Sequence, residues 1–412
     1  MNMNFQKTIN EFGAQPSESV LQTAFIQNAL DACRDAGGGE VIVPAGHYLT
    51  GSIRLYDNTT LHLQENAVLI GSENAADYTD YGKETTLGYL YQQEYIDLWH
   101  LPPHYVYALV SAIDAKNVSI IGEAGSGFNG QNCRDDAGEE GFRGPMGIRL
   151  CRCENVILSG YYFKDCANWA HQIDSCHNVT IKNLSIYAGH DGIDIHHCIN
   201  VEVTGCDIQS GDDCIAGYDA YNFHMADCRL NTACNSLRIG CVNMLIENCT
   251  FYGPAKYPHR ISGRHNTLYA FEYYSHGADK VRDNSRSWIV KNCSFQNIDA
   301  LIHYEFGDKI HLQETTPLED VSFYNVTIEN LHKASVFKGT EGTRATMKFV
   351  DSNITYAPEA EEPACILTNA HAEVYAKAGF AGYNHFFRAF KKEFQMTPGE
   401  YYQICCRANA SE

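Results

Sequence analysis

The chain has 412 residues, and its 30 Lys and Arg against 50 Asp and Glu give a formal net charge of −20. A hydrophobic content of 44% allows a large core and excludes wholesale disorder, and no apolar run reaches the roughly 18 residues of a membrane span. The acidic balance argues against a polyanionic partner, whether nucleic acid or highly charged pectate.

The amino terminus carries no recognisable export signal. Residues 1–10 lack a basic stretch followed by an apolar one, so we expect a cytoplasmic protein. The chain has 17 cysteines, an odd number, which in a reducing compartment indicates buried thiols rather than disulfides. The two tightest pairs, Cys151–Cys153 and Cys405–Cys406, lack the second half of a zinc site, so we expect neither a metal nor another cofactor.

Residues 17–36 predict an amphipathic helix. Ser19 and Gln22 have the spacing of a capping box, and Gly37–Gly39 would end the helix. One face of this helix carries six apolar side chains, namely Leu21, Phe25, Ile26, Ala29, Leu30 and Cys33. Because alternating apolar residues begin at Val41, we expect the helix to cap the open end of a stack of strands.

Residues 74–108 interrupt the alternating pattern and are rich in tyrosine, with Trp99 among them. Aromatic faces suit sugar rings, so this insertion is interpreted as the wall of a binding groove. A purely structural loop is the alternative, and the sequence leaves both interpretations open.

The middle of the chain repeats with a period near 22 residues. An asparagine followed by alternating apolar residues recurs at Asn155, Asn178, Asn200, Asn222 and Asn243. A column of cysteines accompanies it, made of Cys206, Cys228, Cys249 and Cys293. Short strands with a fixed period predict an all-β fold, a right-handed parallel β-helix whose equivalent residues lie about 4.8 Å apart in successive coils. We interpret both columns as internal stacking without chemistry.

Superposing the coils reveals a column of carboxylates. Asp191 lies 13 residues after Asn178, and Asp213 lies 13 residues after Asn200, with Asp212 immediately before it. Mutual repulsion between carboxylates on one edge should raise the pKa of at least one of them. A protonated acid beside an ionised base is the arrangement that glycoside hydrolysis requires. A cation site or a solvated acidic turn is the structural alternative.

Two motifs carry a family resemblance. The sequence HDGID at 190–194, followed by SGDDCIA at 210–216, resembles the acidic motifs of family-28 glycoside hydrolases, the polygalacturonases and rhamnogalacturonases. Residues 36–51 are similar to the opening coil of that family, and the resemblance spans residues 10–355. It implies a parallel β-helix and hydrolysis with inversion. By motif position it implies that Asp212 is the general acid and that Asp191 and Asp213 activate water.

The chain also departs from the family's pattern. The first motif usually begins Asn-Thr, where this chain has Gly189-His190, and the usual Gly-His-Gly turn is replaced at 234–236 by Cys-Asn-Ser. The Arg-Ile-Lys motif that grips substrate carboxylates in the family has no match, since the corresponding coil at 268–275 carries Glu272. A carboxylate there would repel galacturonate and suit the hydroxyl groups of a neutral sugar.

These departures suggest which residues contact the substrate. Arg238 could replace one lost cation, and His190 could replace the missing histidine; ordinary surface polarity is the alternative for each. The predicted substrate-binding residues are His190, Asp194, Asn235, Arg238, Glu272 and Tyr274. The substrate is expected to be a pectin-related or neutral oligosaccharide or polysaccharide, with loops 74–108 and 254–286 setting its identity, its linkage and endo or exo cleavage.

The β-pattern stops after Ala357, which predicts a β-helix domain over 1–357, a linker over 358–363 and a helical extension over 364–412. Residues 376–401 resemble the second helix-turn-helix of AraC-type regulators, with the turn at Gly379-Phe380. The resemblance implies a major-groove helix near 384–392, with Arg388, Lys391 and Lys392 near phosphate. Only one of the two units of such regulators is matched and the chain is acidic, so DNA binding is not the favoured interpretation. A helical cap of the solenoid is the alternative.

Three functions are therefore weighed. A glycoside hydrolase that uses Asp212 with Asp191 and Asp213 is favoured. A polysaccharide lyase would use the carboxylates to bind Ca²⁺ and Arg238 to abstract a proton. A non-catalytic sugar sensor would bind duplex DNA through its tail. No membrane partner is expected, and the sequence leaves the oligomeric state open.

Overall fold

The protein is described from a computed structural model that covers residues 5–81, 87–102, 104–277, 279–307, 316–340, 343, 345–358, 360, 366–368 and 379–380. Short strands stack in parallel into three ladders that wind as a right-handed β-helix, which confirms the predicted fold. The ladder that carries the site described below contains Ile53–Leu55, Ala108–Ile113, Met146–Cys151, His171–Asp174, Ile193–His196, Ile215–Ala226, Asn235–Glu247, Tyr269–Tyr273, Ala300–Glu305, Val336–Lys338 and Ile366–Thr368.

The other two ladders complete each coil. The second contains Gln6–Thr8, Gly39–Val43, Thr59–Leu63, Lys116–Gly122, Glu154–Ser159, His177–Lys182, Ile199–Thr204, Arg286–Lys291, Asp320–Tyr324 and Thr346–Val350. The third contains Gly46–Thr50, Ala67–Gly71, Gly127–Asn129, Tyr162–Lys164, Ser185–Ala188, Asp207–Ser210, Arg229–Thr232, Thr250–Tyr252, Ser294–Gln296, Thr327–Leu331, Asn353–Tyr356 and Gly379–Phe380. The first and second ladders join where Ile215–Ala226 and Asn235–Glu247 run through both of them.

The core lies inside the coils, where alternate residues of each strand point inward. Ile173, Ile195 and Ile239 of the first ladder belong to one continuous buried cluster with residues from the other two ladders. Their neighbours in sequence, such as Gln172 and Asp194, therefore face outward. This alternation decides which side chains can reach a ligand on the first ladder.

The asparagine column is a ladder of side-chain hydrogen bonds. Asn200 donates from Nδ2 to Oδ1 of Asn178 at 2.9 Å and accepts from Nδ2 of Asn222 at 2.8 Å. The same bond links Asn178 to Asn155 and Asn243 to Asn222. Each of these asparagines has a positive φ, as a turn between two strands of one coil requires.

The cysteine column also stacks as predicted. The backbone N–H of Cys206 contacts Sγ of Cys228 at 3.4 Å, and Cys228 and Cys249 repeat the contact with the next coil. The cysteines within the described residues form no disulfide, and all except Cys234 are buried. Both columns are therefore structural, as interpreted from the sequence.

The N-terminal helix begins later than predicted. It spans Thr23–Asp35 and buries Ile26, Ala29, Leu30 and Cys33, whereas Leu21 and Phe25 are exposed. The capping box at Ser19 is wrong, because the N–H groups of Ser17 and Gln22 donate to carbonyls of the first coil and hold that segment beside it. Gly37–Gly39 ends the helix with positive φ values, as expected.

The insertion at 74–108 contains the 3₁₀ helices Ala75–Asp77 and Gly88–Tyr91 and the α-helix Gln93–Trp99. Two further 3₁₀ helices span Ile9–Phe12 and Glu139–Gly141. Within the described residues, none of the helices is long and apolar enough to cross a bilayer.

Strand pairing continues beyond the predicted end of the β-helix at 357. Ile366–Thr368 pairs with Val336–Lys338, and Gly379–Phe380 pairs with Asn353 and Ile354. Gly379-Phe380 therefore extends the third ladder instead of forming a helical turn, since the last coil offers unpaired backbone groups to any segment that follows. Apart from Pro358 and Ala360, the remainder of the predicted linker and helical extension lies outside the described residues.

The asparagine ladder leads to a stability prediction. Asn200→Ala removes two side-chain hydrogen bonds, worth about 1 kcal/mol each, and places a Cβ-bearing residue without a compensating side chain at φ 59°. We expect the free energy of unfolding in urea to fall by about 2–3 kcal/mol. Asn200→Gly tolerates the backbone and should lose less. If wild type and Asn200→Ala have the same free energy of unfolding, the asparagine hydrogen bonds do not stabilise the fold.

Candidate functional site

The predicted carboxylates meet on one edge of the first ladder. Asp191 precedes the strand Ile193–His196, and Asp213 precedes the strand that begins at Ile215. The backbone N–H of Asp213 donates to Oδ1 of Asp191 at 2.9 Å. One coil further on, the backbone N–H and Nδ2 of Asn235 donate to Oδ1 of Asp213 at 3.1 and 2.8 Å. The column read from the sequence is thus a chain of direct contacts.

Asp191 and Asp213 are almost fully buried, with 3% and 2% of their surfaces exposed. Burial raises the pKa of Asp191 well above its usual range, and the neighbouring charges of Asp194 and Asp212 raise it further. Burial also raises the pKa of Asp213, but Arg238 opposes this shift, because its Nε donates to Oδ2 of Asp213 at 2.5 Å. A negative charge is therefore better stabilised on Asp213 than on Asp191.

Asp212 has a different environment. Its backbone carbonyl accepts hydrogen bonds from the hydroxyls of Ser210 and Thr232, which fix the turn. Its carboxylate lies 3.9 Å from Nη2 of Arg143 and 3.7 Å from Nε2 of His259, and its side chain is 21% exposed. One carboxylate of the three thus reaches the solvent side of the site, while the other two lie beneath it.

Sequence reasoning missed the basic groups around Asp212. Arg143 also pairs with Glu140 at 2.8 Å and lies near Glu139, whose pKa is raised by burial. Arg264 donates from Nε to the carbonyl of Ala233 and from Nη2 to Sγ of Cys234. These arginines come from loops outside the 22-residue period, where no column identifies them.

His190 lies below the surface rather than in the groove. It is 1% exposed, stacks on Phe142 with ring centroids 5.8 Å apart, and its Nε2 lies 3.2 Å from Nη1 of Arg260. Burial lowers the pKa of His190 well below its usual range, so the ring is neutral and accepts from the guanidinium. A Cβ on Gly189 would lie 2.2 Å from Nε of Arg260, which explains a glycine there. The imidazole nearest Asp212 is that of His259.

Arg238, which was predicted to replace one of the family's cations, is already engaged. It bonds to Asp213, and its guanidinium lies 4.2 Å from the ring centroid of Tyr274. Glu272, the register partner of Arg238, is 2% exposed and contacts Nδ1 of His303 at 2.8 and 3.0 Å. The C-terminal side of the site thus has a carboxyl group paired with a histidine at this position.

Asp194 lies in the same row of outward-facing residues. It is completely buried, and neither of its carboxylate oxygens accepts a hydrogen bond from an N–H or hydroxyl group. Burial raises the pKa of Asp194 well above its usual range. Its polar neighbour is the carboxyl of Asp191, with which it can form a hydrogen bond only when one of the two carries a proton.

The described residues 87–102 and 104–108, hereafter the cover segment, wall the N-terminal side of this edge. Tyr89, Tyr105 and other apolar residues of the segment form a buried cluster with Met146 and Trp169. Burial raises the pKa of Tyr105 well above its usual range, and the charges of Glu139, Arg143, Asp194 and Asp191 act on its phenol. The insertion thus lies beside the carboxylates, in the place that the groove-wall interpretation requires.

Two contacts hold the cover segment in place. The ring of His276 stacks on Tyr89 at 5.1 Å and contacts Tyr95 and Trp99. The carboxylate of Asp279 accepts hydrogen bonds from the backbone N–H of Gly88 and the hydroxyl of Tyr218. His276 and Asp279 of loop 254–286 therefore pack against the cover segment.

Three side chains could in principle hold a cation. Donor atoms of Asp212, Asp213 and Cys234 lie within 4.8 Å of one another. However, Asp213 already accepts from Arg238, and Cys234 from Arg264. A cation would compete with both guanidinium groups, so the geometry favours carboxylate chemistry over metal binding.

The chain is similar in sequence and in fold to several known proteins. The exo-poly-α-D-galacturonosidase of Dickeya chrysanthemi is 44% identical over 72 residues, which cover 18% of this chain and 12% of that protein. The Thermotoga maritima exopolygalacturonase structure has a TM-score of 0.71 at 17% identity, covering 92% of this chain and 93% of its own. The Erwinia carotovora polygalacturonase structure has a TM-score of 0.59 at 15% identity, with 90% and 93% covered.

Both structural likenesses concern the fold. The family model described as glycosyl hydrolases family 28 matches residues 33–244, which include the carboxylate column from Asp191 to Asn235. This match covers just over half of the chain, and the protein accordingly belongs to glycosyl hydrolase family 28.

Proposed function

We propose that this family-28 glycoside hydrolase cleaves a pectin-related or neutral oligosaccharide with inversion, using Asp212 as general acid and Asp191 with Asp213 to activate water. The observation that carries the proposal is the division of the three carboxylates between two environments. Asp191 and Asp213 are buried and in contact, whereas Asp212 faces Arg143 and His259 on the exposed side. General acid–base hydrolysis needs carboxyl groups in different environments, so that one carries a proton and another is ionised.

The surroundings of the buried pair suggest where its charge lies. Asp191 faces Asp194, and burial raises the pKa of both carboxyls although the charge of Arg238 opposes the shift, so the pair favours a shared proton. Asp213 keeps its negative charge through Arg238 and Asn235. Asp213 is then the carboxylate that accepts a proton from the attacking water, and Asp191 orients that water.

The reaction follows from this placement. Asp212 donates its proton to the glycosidic oxygen as the bond from that oxygen to the anomeric carbon breaks. The water oxygen attacks the anomeric carbon from the opposite face while Asp213 takes one of its protons. The products are a sugar with inverted anomeric configuration and an alcohol, and proton exchange with solvent restores both carboxyl groups.

The charges near the reacting carboxylates favour a sugar without a carboxylate. Arg238 is committed to Asp213, and Glu272 occupies the position where the family's motif has a cation. A neutral sugar meets these groups through its hydroxyls, so we infer that the enzyme is not a typical polygalacturonase.

A galacturonide is the second candidate substrate. Its support is the 44% identity, over 72 residues, to a protein named as an exo-poly-α-D-galacturonosidase. Family membership ranks the calcium-dependent lyase and the non-catalytic sensor below a hydrolase. The DNA-binding tail stays a sequence prediction, because most of residues 364–412 lie outside the described part of the chain.

The proposed acid can be tested by substitution. Asp212→Asn should lower kcat by about 10²–10⁴-fold on the substrate of the wild type, since an amide cannot donate the required proton. The ion pairs of Asp212 are long, so the free energy of unfolding should change by less than about 1 kcal/mol. Products from pectin-derived, galactan, arabinan and rhamnose-containing oligosaccharides would be identified by mass spectrometry and proton NMR.

The matched control is Asp227→Asn, which makes the same chemical change in an exposed turn. It should retain the wild-type rate and the same inverted product. Wild-type turnover by Asp212→Asn would refute the acid assignment, retention of anomeric configuration would refute the mechanism, and preference for galacturonides would select the second candidate.

The shared proton predicts a pH-dependent stability change. A carboxyl whose native pKa is raised loses its proton earlier in the unfolded chain, near the usual pKa of about 3.9. Its stabilising contribution is complete below that pH and is lost as the pH rises towards the native pKa. In thermal unfolding, Asp194→Asn should therefore gain Tm relative to wild type as the pH increases from about 4 to 8. If the Tm of Asp194→Asn minus that of wild type stays constant or falls as the pH rises, the native pKa of Asp194 is not raised.

A further inference from the structure

A row of polar side chains runs along the outer face of the first ladder, and the hydrolytic step uses only part of it. Register pairing places six polar residues in successive coils, with Ala216 as the single apolar position between Asp194 and Arg238: Ser111, Arg149, Gln172, Asp194, Arg238 and Glu272. The catalytic carboxylates lie beside the centre of the row. Its N-terminal half lies on the side of the site that the cover segment walls.

Gln172 is the least expected member of the row. It is completely buried, and neither its Nε2 nor its Oε1 has a hydrogen-bond partner. Its register partner Asp194 shares both properties. A buried polar group without a partner costs free energy, and such groups persist where a protein uses them. Two of them about 4.8 Å apart, next to a catalytic centre, mark a place for hydrogen-bonding groups from outside the chain.

Aromatic rings surround these polar groups. Trp169 stacks on His196, which lies two residues after Asp194, with ring centroids 5.9 Å apart. Tyr105 of the cover segment meets Trp169 edge to face at 5.9 Å. Nδ1 of His196 is also buried without a hydrogen-bond partner. A sugar ring offers what such a place can bind, with apolar C–H faces for the aromatic rings and hydroxyls at its rim.

We propose that Gln172 and Asp194 form a subsite for the hydroxyl groups of an uncharged terminal sugar ring, on the N-terminal side of the catalytic carboxylates. This inference rests on the proposed hydrolytic function and specifies its substrate. The amide of Gln172 can donate to one hydroxyl and accept from another, and Asp194 can accept from a third. The carboxyl group of Asp194 disfavours a second carboxylate beside it, which favours an uncharged ring.

In this proposal the cover segment closes the N-terminal end of the binding groove at this subsite. Gln172 has no exposed surface, so a sugar reaches it only when neighbouring side chains move aside. Tyr105 of the cover segment contacts Trp169 beside this place, which makes the cover segment the part of the wall that moves in this proposal. The bound ring then supplies the hydrogen bonds that Gln172 and Asp194 lack. A polysaccharide cannot continue past this wall, and the enzyme therefore releases terminal residues one at a time.

The decisive substitution is Gln172→Met, which keeps the length of the side chain and removes its polar atoms. Replacing an unpartnered buried amide with an apolar group should leave the Tm equal or higher. On the oligosaccharide that wild type cleaves, kcat/KM should fall about 10- to 100-fold. Gln172→Asn, which keeps the amide, should recover part of that loss, and the exposed Gln296→Met should match wild type.

Sugar binding can be measured without turnover. Of the three tryptophans in the chain, Trp169 borders the subsite and Trp99 lies in the cover segment, so their fluorescence reports on sugar binding there. In the Asp212→Asn background, D-galactose, L-arabinose, L-rhamnose and D-galacturonic acid would be titrated separately. We expect a neutral sugar to change the emission and Gln172→Met to abolish that change.

These outcomes separate the subsite from the hydrolytic proposal. If Asp212→Asn is inactive but Gln172→Met keeps the wild-type kcat/KM, the subsite is wrong and the hydrolase stands. If Asp212→Asn keeps its turnover while neutral-sugar binding still depends on Gln172, the subsite stands and the acid assignment is wrong. A response to galacturonic acid alone, or to none of the four sugars, overturns the subsite.

Discussion

The structure depends on one constraint, the exact stacking of coils at the spacing of a parallel β-ladder. Every residue on a ladder meets its counterpart in the next coil about 4.8 Å away, so a favourable pair repeats and so does an unfavourable one. Asparagine suits this arrangement because its amide both donates and accepts. Asn155, Asn178, Asn200 and Asn222 therefore form a continuous chain of bonds at the exposed turns. Inside the coils, Cys206, Cys228 and Cys249 fill the same space in each turn at little cost.

The same spacing is costly for carboxylates, and the site lies where the cost is greatest. Asp191 and Asp213 occupy equivalent positions in adjacent coils, and Asp194 lies a few residues from the first. Burial keeps water from screening their repulsion, which raises the pKa values of all three. The single guanidinium of Arg238 then decides which of them bears the charge. A stacking rule that stabilises the rest of the solenoid thus gives identical side chains different affinities for a proton.

The sequence predicts the features that follow the repeat of the coils and misses those that come from loops between them. The ladders, both structural columns and the meeting of Asp191, Asp213 and Asn235 all come from a fixed period, and period is visible in one chain. Arg143 and His259 could not be found in this way, because they come from loops whose path depends on tertiary packing. The start of the helix at Thr23 was missed for a related reason. Hydrogen bonds from Ser17 and Gln22 to the first coil prevail over the local capping signal.

The departures from the family's motifs form a connected set in the structure. Gly189 leaves room for Arg260, which then contacts His190; Cys234 accepts from Arg264; Glu272 pairs with His303. Each substitution has a partner elsewhere in the chain, so none is an isolated loss of a cation or a histidine. The carboxylates themselves keep the family's spacing. A site that keeps its carboxylates while their surroundings change in matched pairs agrees with the proposal of a different sugar, because the groups that contact the sugar lie among those surroundings.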